Sequence, residues 1–152
     1  METQKKYSTV PFNVSHLQLM YLRQEELESI MNLEDAQARF ESLTHLSIDA
    51  KTFMYDGRVI FCAGFFEQWP GVIECWMMPS IHVKSASIGF CRILRGYVND
   101  IIKEFGCHRF QTNSPDDELH ARFMKFLGLK KEGVMKKYTH NQKDYCVYAR
   151  TV

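Results

Sequence analysis

The sequence predicts one α/β (or α+β) domain spanning residues 1–152, with a mixed central sheet of about six to seven strands and helices on both faces. Turn-bounded β segments in the middle of the chain, amphipathic helical stretches around them, and a short β–α–β crossover after Met78 carry that expectation. The length of 152 residues suits one domain, large enough to bury about two thirds of its unfolded surface. With 19 basic against 18 acidic residues and 45% hydrophobic content, a disordered chain is excluded. The longest apolar runs, such as Val59–Phe66, fall far short of the ~20 residues of a membrane span. Met1-Glu2-Thr3-Gln4-Lys5-Lys6 has no apolar segment of the secretory type, so a cytoplasmic protein is expected.

Each element has its own signal. Residues 1–9 are polar and are expected to fray. Val10–Leu22 combines Pro11 with alternation (Val14, His16 and Gln18 against Leu17, Leu19 and Tyr21) and reads as an irregular first strand. Arg23–Leu46 is acidic and helically spaced, with Leu27, Ile30 and Met31, then Leu33, Ala36, Phe40 and Leu43, which predicts two short helices broken near Asn32. Thr52–Tyr55 and Arg58–Gln68 flank Asp56-Gly57, a pair that supplies the positive φ of a type I′ hairpin turn. Trp69-Pro70-Gly71 turns the chain into a strand over Val72–Met78, and Gly64 suggests a bulge or close approach in the strand before it.

Ile88, Cys91, Leu94, Val98, Ile101, Ile102 and Phe105 form one apolar helical stripe, closed by Gly106. His108–Thr112 reads as a short strand. Ser114 as cap, Pro115 at the first helical position and the carboxylates of Asp116, Asp117 and Glu118 announce the next helix. Its apolar face is Leu119, Phe123, Phe126 and Leu127, and Gly128 stops it. Lys130–Tyr138 and Tyr145–Arg150 close the chain as a hairpin.

Charge is divided along the chain. Through Ser80 there are 6 basic and 11 acidic residues, and from Ile81 onward 13 basic and 7 acidic. A basic second half suits an anionic ligand or partner, and equally a solvated lysine surface. The five cysteines, Cys62, Cys75, Cys91, Cys107 and Cys146, are widely spaced, without a metal-ligand pattern, and read as small core residues of a reducing compartment. No metal is expected. Cys91, near a helix start, comes closest to the setting of a reactive thiol.

Over Thr52–Arg150 the order and the residues resemble the GNAT superfamily of N-acetyltransferases. The strand Gly71–Met78 feeds a polar loop and then the Ile88 helix. Asn113 precedes a helix ending Phe126-Leu127-Gly128-Leu129, and Lys131-Glu132-Gly133 follows in a closing strand. Trp76–Ser80 and Phe123–Leu129 also resemble GNAT-like proteins encoded by podovirus genomes, some of them internal virion proteins. The resemblance implies acetyl-CoA as co-substrate, with pantetheine on the backbone of Met77 and Met78. It places the pyrophosphate at a helix N-terminus, where free N–H groups and the dipole favour anions.

The family signature there, Q/R-x-x-G-x-G/A, faces Lys84-Ser85-Ala86-Ser87-Ile88-Gly89 in this chain. Lys84 and Gly89 match in kind. Ser87 replaces the first glycine, bringing a Cβ that can block a phosphate and a hydroxyl that can bond it. Ser85 or Ser87 can equally cap the helix. Asn113 matches the asparagine at the mouth of the family's cofactor cleft, or is a helix-start residue beside Ser114.

Amine acetylation needs a base for the amine proton. Glu74 shares a strand face with Trp76 and Met78 and is the candidate; its alternative is a carboxylate that sits at the wet face or pairs with a Lys or Arg. The family's acidic tyrosine position is Met124, which donates no proton, and nothing selects among Tyr138, Tyr145 and Tyr148 as a substitute. Phe61, Phe65, Phe66, Trp69 and Trp76 either line the acceptor side or belong to the core.

Two functional readings follow. The first is an acetyl-CoA-dependent N-acyltransferase acting on an unidentified amine. The second keeps the fold without the chemistry: a phage GNAT-like interaction or assembly protein, found in the virion or the host cytoplasm, for which the charge split favours a homo-oligomer or a virion partner. Nucleic acid is the lesser alternative. Lys130, Lys131, Lys136, Lys137 and Tyr138 could follow a phosphate backbone, but period-2 placement scatters them over both faces.

Overall fold

In chain order the elements are β1 (Tyr7–Pro11), a 3-10 helix (Val14–Leu19), α1 (Leu33–Leu46), β2 (Asp49–Tyr55), β3 (Arg58–Trp69) and β4 (Val72–Pro79). A second 3-10 helix (Ile81–Ala86), α2 (Ser87–Phe105), β5 (Arg109–Pro115), α3 (Glu118–Phe126), β6 (Lys130–Met135) and β7 (Tyr145–Thr151) follow. This computed structural model describes residues 7–20 and 33–152, with the side chains of 33, 34 and 84–87 excepted. The helix expected around Leu27, Ile30 and Met31 lies outside the described residues.

The strands form one mixed seven-stranded sheet in the order β1-β2-β3-β4-β5-β7-β6. β1 pairs antiparallel with β2, from Tyr7 opposite Tyr55 to Pro11 opposite Lys51. β4 and β5 are parallel, β5 and β7 antiparallel over seven pairs, and β6 lies antiparallel to β7 with an irregularity between Lys131 and Gly133. This is the α/β class with a mixed sheet that the sequence predicts.

Several turns are fixed by local chemistry. Asp56 and Gly57 take φ of 52° and 78°, both positive as the hairpin turn requires. Gly71, at φ 85°, carries the β4 entry, and a side chain there would collide with the His108 imidazole. Its carbonyl accepts the N–H groups of His108 (2.9 Å) and Arg109 (3.2 Å), which sets the register of β4 against β5.

The chain gathers into two compact units, 1–64 with 77–90, and 65–76 with 91–152. The core of the first unit includes Phe53, Ile60, Phe61, Cys62 and Phe90. Phe53, Phe61 and Phe90 meet one another with centroids 4.9–6.3 Å apart, a geometry that adds about 0.5–1.5 kcal/mol per pair beyond burial. Inside it the His16 ring and the Thr52 hydroxyl lie 2.7 Å apart, and Thr52 in turn contacts the Cys62 thiol, so the buried hydroxyl is satisfied. In the second unit Ile73, Leu94, Val98, Phe110, Leu127 and Cys146 are fully enclosed, and Phe65 packs edge-on against Tyr97 and Phe105.

Several expectations are corrected. The first strand is Tyr7–Pro11, not Val10–Leu22. Tyr7–Thr9, expected to fray, are paired with β2, while Val14–Leu19 is 3-10, capped by Asn13, whose side chain accepts the Ser15 N–H. The strand read over His108–Thr112 runs on to Pro115, because Asn113, Ser114 and Pro115 pair with Val147, Cys146 and Tyr145. The cap of α3 is therefore Asp117, which accepts the His120 N–H at 2.8 Å, and not Ser114.

The buried face of α3 is His120, Met124 and Leu127, with Leu119 and Phe126 exposed: the face is rotated from the one read. In α2, Ile88 is 74% exposed and Phe90 takes the inward position. Two residues are about 200° apart on a helix, so only one of that pair can face the core. Leu94, Val98, Ile101 and Ile102 keep the expected stripe. Among the described residues no helix is long and apolar enough to cross a membrane.

Candidate active site

Beyond β3, which ends at Trp69, the β4–β5 ladder of the second unit is short. Val72, Ile73 and Glu74 pair with Arg109, Phe110 and Gln111, and there it stops. At the next position a side chain replaces the backbone bond: the Thr112 hydroxyl donates to the Cys75 carbonyl at 2.8 Å. One pleat further along the same face of β5, Ser114 Oγ is buried without a hydrogen-bond partner. An orphaned buried hydroxyl costs about 1–3 kcal/mol, so the chain keeps a polar group in reserve where its own strand pairing has ended.

The opposite face of the same strands is polar. Glu74 is half-buried and accepts from Gln68 Nε2 (2.6 Å) and Gln111 Nε2 (3.2 Å), both on Oε2. Its Oε1 has no hydrogen-bond partner among the described residues, and no cation pairs with it there. Pairing with Lys or Arg, one form of the expected alternative, is thus replaced by two neutral amides, while the half-buried carboxylate keeps its place toward the wet face. Asn113, on the Gln111 face, is half-buried in β5 beside Val147. It is a strand residue and not a helix-start residue.

The remaining candidates lie in the first unit. Met77 and Met78 are half-buried in β4. The polar loop expected after them is helical from Ile81, and its joint is Ser80. That fully buried residue donates through Oγ to the Val59 carbonyl (3.0 Å), accepts the His82 N–H (3.2 Å), and offers its carbonyl to the Val83 N–H (3.2 Å). Ser80 thus caps the second 3-10 helix, while the caps expected for α2 at Ser85 or Ser87 lie outside the described side chains. The missed signal of the Ser80 cap is a serine directly after the strand-ending Pro79.

The Lys84 and Ser87 side chains lie outside the described residues. Ile88 and Gly89 occupy the first turn of α2, which follows the second 3-10 helix without a break and carries no carboxylate to oppose an anion. A Cβ on Gly89 would collide with the ring and hydroxyl of Tyr7, so this glycine is required by packing.

Other features narrow the choices. Met124 is buried, and Phe61 and Phe65 are core residues, whereas Trp69 is 68% exposed and Trp76 half-buried. Burial raises the Cys91 thiol above its ordinary value, contrary to a reactive cysteine. Lys131 and Lys136 are paired with Asp116 and Asp144, which takes two of the four lysines out of a phosphate track.

Comparison with solved structures identifies the fold. The chain superimposes on Ard1 from Thermoplasma volcanium with a TM-score of 0.77 at 13% identity, covering 96% of this chain and 97% of that one. A GNAT-family acetyltransferase from Bacillus anthracis gives 0.70 at 13% identity, over 95% and 94% of the two chains. The yncA protein of Salmonella typhimurium, solved with its cofactor acetyl-CoA, gives 0.67 at 13% identity, over 95% and 93%. No protein-family model and no curated protein matches the sequence. The likeness is therefore one of architecture: the chain has the GNAT fold.

Proposed function

We propose that this chain is an acyl-CoA-dependent N-acyltransferase, with acetyl-CoA as acyl donor and a primary amine as acceptor. The observation that carries the reading is Glu74: a carboxylate on the central strand of a GNAT fold, oriented by two amides, uncompensated by any cation among the described residues, with one oxygen left open. Such a group can accept a proton from an ammonium or attacking amine, directly or through water.

The residues fit the donor. Ser114 Oγ is an unsatisfied hydroxyl beyond the end of the β4–β5 ladder, suited to an amide of a pantetheine arm. Asn113, next to it on β5, would contribute a strand group to the same arm. The first turn of α2, with the Ile88 and Gly89 amides, Ser87 and the Lys84 ammonium, would hold pyrophosphate. When bound, acetyl-CoA supplies an activated acetyl group as a thioester. Glu74 takes the amine proton and, through Oε2, stays aligned while doing so. Met124 offers no proton, so the thiolate leaving group is protonated from solvent or from another acid.

Titration calorimetry with acetyl-CoA tests the donor half: micromolar to submillimolar binding is expected, and no heat at about 1 mM would sink it. The buried Met124 and the Tyr7-covered Gly89 favour a competing reading, a scaffold retained without chemistry as an interaction or assembly protein, the role implied by the podovirus resemblance. A protein that binds no acetyl-CoA and sediments as an assembly would select that reading.

A further inference from the structure

The Glu74 carboxylate is the end of a longer chain of contacts. Arg109, at the start of β5, grips Glu132 through both guanidinium ends, Nη2 to Oε1 at 2.6 Å and Nη1 to Oε2 at 3.1 Å. Its third donor, Nε, goes to Gln111 Oε1 at 2.6 Å. A guanidinium has donors only, so the Gln111 atom facing it must be the carbonyl oxygen. That choice turns the Gln111 amide nitrogen toward Glu74, where it can only donate, and Glu74 Oε2 must accept. The order Glu132–Arg109–Gln111–Glu74 is therefore polarised in one sense, with a fixed cation behind the amide that strengthens its donation. The Arg109 guanidinium is held above and the Glu132 carboxyl below their ordinary values by their mutual hydrogen bonds.

We propose that Arg109 and Glu132 are positioning residues for the transfer reaction, acting through Gln111 to hold the Glu74 carboxylate turned so that Oε1 faces the acceptor amine. The inference rests on the reading of Glu74 as base. It goes beyond that reading in assigning work to an ion pair that does not touch Glu74. Spacing on β5 makes the device possible: residues 109 and 111 stand on one face of the strand, opposite Val72 and Glu74 of β4. Glu132 reaches it from the irregular stretch of β6 between Lys131 and Gly133, which breaks the regular alternation.

The test uses Arg109→Met, Gln111→Leu, their double variant, Glu132→Gln and Glu74→Gln in the full chain, assayed with acetyl-CoA and a panel of primary alkylamines and peptide α-amines. Arg109→Met and Gln111→Leu should each lower kcat about ten-fold and leave the KM for acetyl-CoA unchanged. The double variant should be no worse than either single one, since both cut the same chain. Exposed Glu132→Gln should show the same direction with a smaller loss, and serves if Arg109→Met misfolds.

A raised KM for acetyl-CoA in place of a lowered kcat, or losses that multiply in the double variant, would overturn the proposal. If Glu74→Gln is inactive while Arg109→Met is fully active, the positioning role alone falls. If Glu74→Gln is as active as wild type, or the wild type itself acetylates none of the amines, the base reading falls and takes the positioning role with it. The Arg109 Nε–H proton resonance reads the contact without activity: it should persist in Glu74→Gln and vanish in Gln111→Leu, and its absence in the wild type counts against the chain itself.

Discussion

Glu74 and Ser114 put opposite demands on the protein, and each makes a distinct prediction. Glu74 is exposed enough to exchange protons and restrained enough to hold one direction, so replacing it should cost catalysis and little else. Glu74→Gln keeps shape and amide contacts while removing the proton acceptor. The expected result is about a 10²-fold fall in kcat with unchanged calorimetric affinity for acetyl-CoA. A fall below three-fold would mean that the proton leaves by another route.

Ser114 is the reverse case, because its hydroxyl is buried and unpaired in the chain itself. Ser114→Ala removes an unsatisfied polar group, and should raise stability by about 1 kcal/mol, or about 2–4 °C in Tm for a protein of this size. The same change should weaken CoA binding, measured by calorimetry. An ordinary core serine would show neither effect, and a stabilising contact would show the opposite sign in Tm.

At the scale of elements, two contacts decide how α2 and α3 begin. Gly89 sits in the first turn of α2 with Tyr7 of β1 against its Cα, so the edge strand and the helix are locked by the absence of a side chain. Gly89→Ala should cost about 1–3 kcal/mol by overpacking. Tyr7→Ala should recover most of that loss in the double variant, as chemical denaturation of the four proteins would show. Additive losses would mean the two residues do not touch.

For α3 the decisive residue is Asp117, whose carboxylate accepts the His120 N–H and lies 2.7 Å from the His120 ring nitrogen. Asp117→Ala should lower stability by about 1 kcal/mol, whereas Ser114→Ala, at the position first read as the cap, should not. Measured unfolding midpoints of the pair separate the two assignments directly.

At the scale of the whole molecule, the order of elements was legible because its signals are local: Asp56-Gly57, Trp69-Pro70-Gly71, Gly106 and Gly128 each force a turn or stop regardless of what packs on them. Helix faces were read one residue out in α3 because positions three and four apart both fit an apolar stripe, and only tertiary packing chooses Met124 over Phe123. The strand extension through Ser114 and Pro115 was hidden, since its cause is pairing with Tyr145–Val147, thirty residues away in sequence. Glu74 could be singled out on its strand, but its partners depend on the β4–β5 register and on the irregular β6, neither of which leaves a local mark. The same long-range pairing governs the response of the fold to pH.

Asp116 is held below the ordinary carboxylate range by the Cys146 thiol and the Lys131 ammonium. Asp144 is lowered by the Lys137 backbone N–H and the Lys136 ammonium, and Glu132 by Arg109. A lowered carboxyl contributes stability that is complete above its unfolded value and is lost as pH falls through its folded one. On the alkaline side, burial pushes the Cys62 thiol from 9.0 up to about 11, and burial together with the Glu74 charge raises Cys75 as well. A raised thiol contributes stability present below its unfolded value and lost as pH rises toward the folded one. Urea midpoints measured from pH 3 to 11 should therefore show a plateau between about 5 and 8, with an acid limb that shrinks in Asp116→Asn and Asp144→Asn and an alkaline limb that recedes in Cys62→Ala. An acid limb unchanged by both asparagine variants would place the lost protons on other carboxylates and remove the β6–β7 ion pairs from the account of stability.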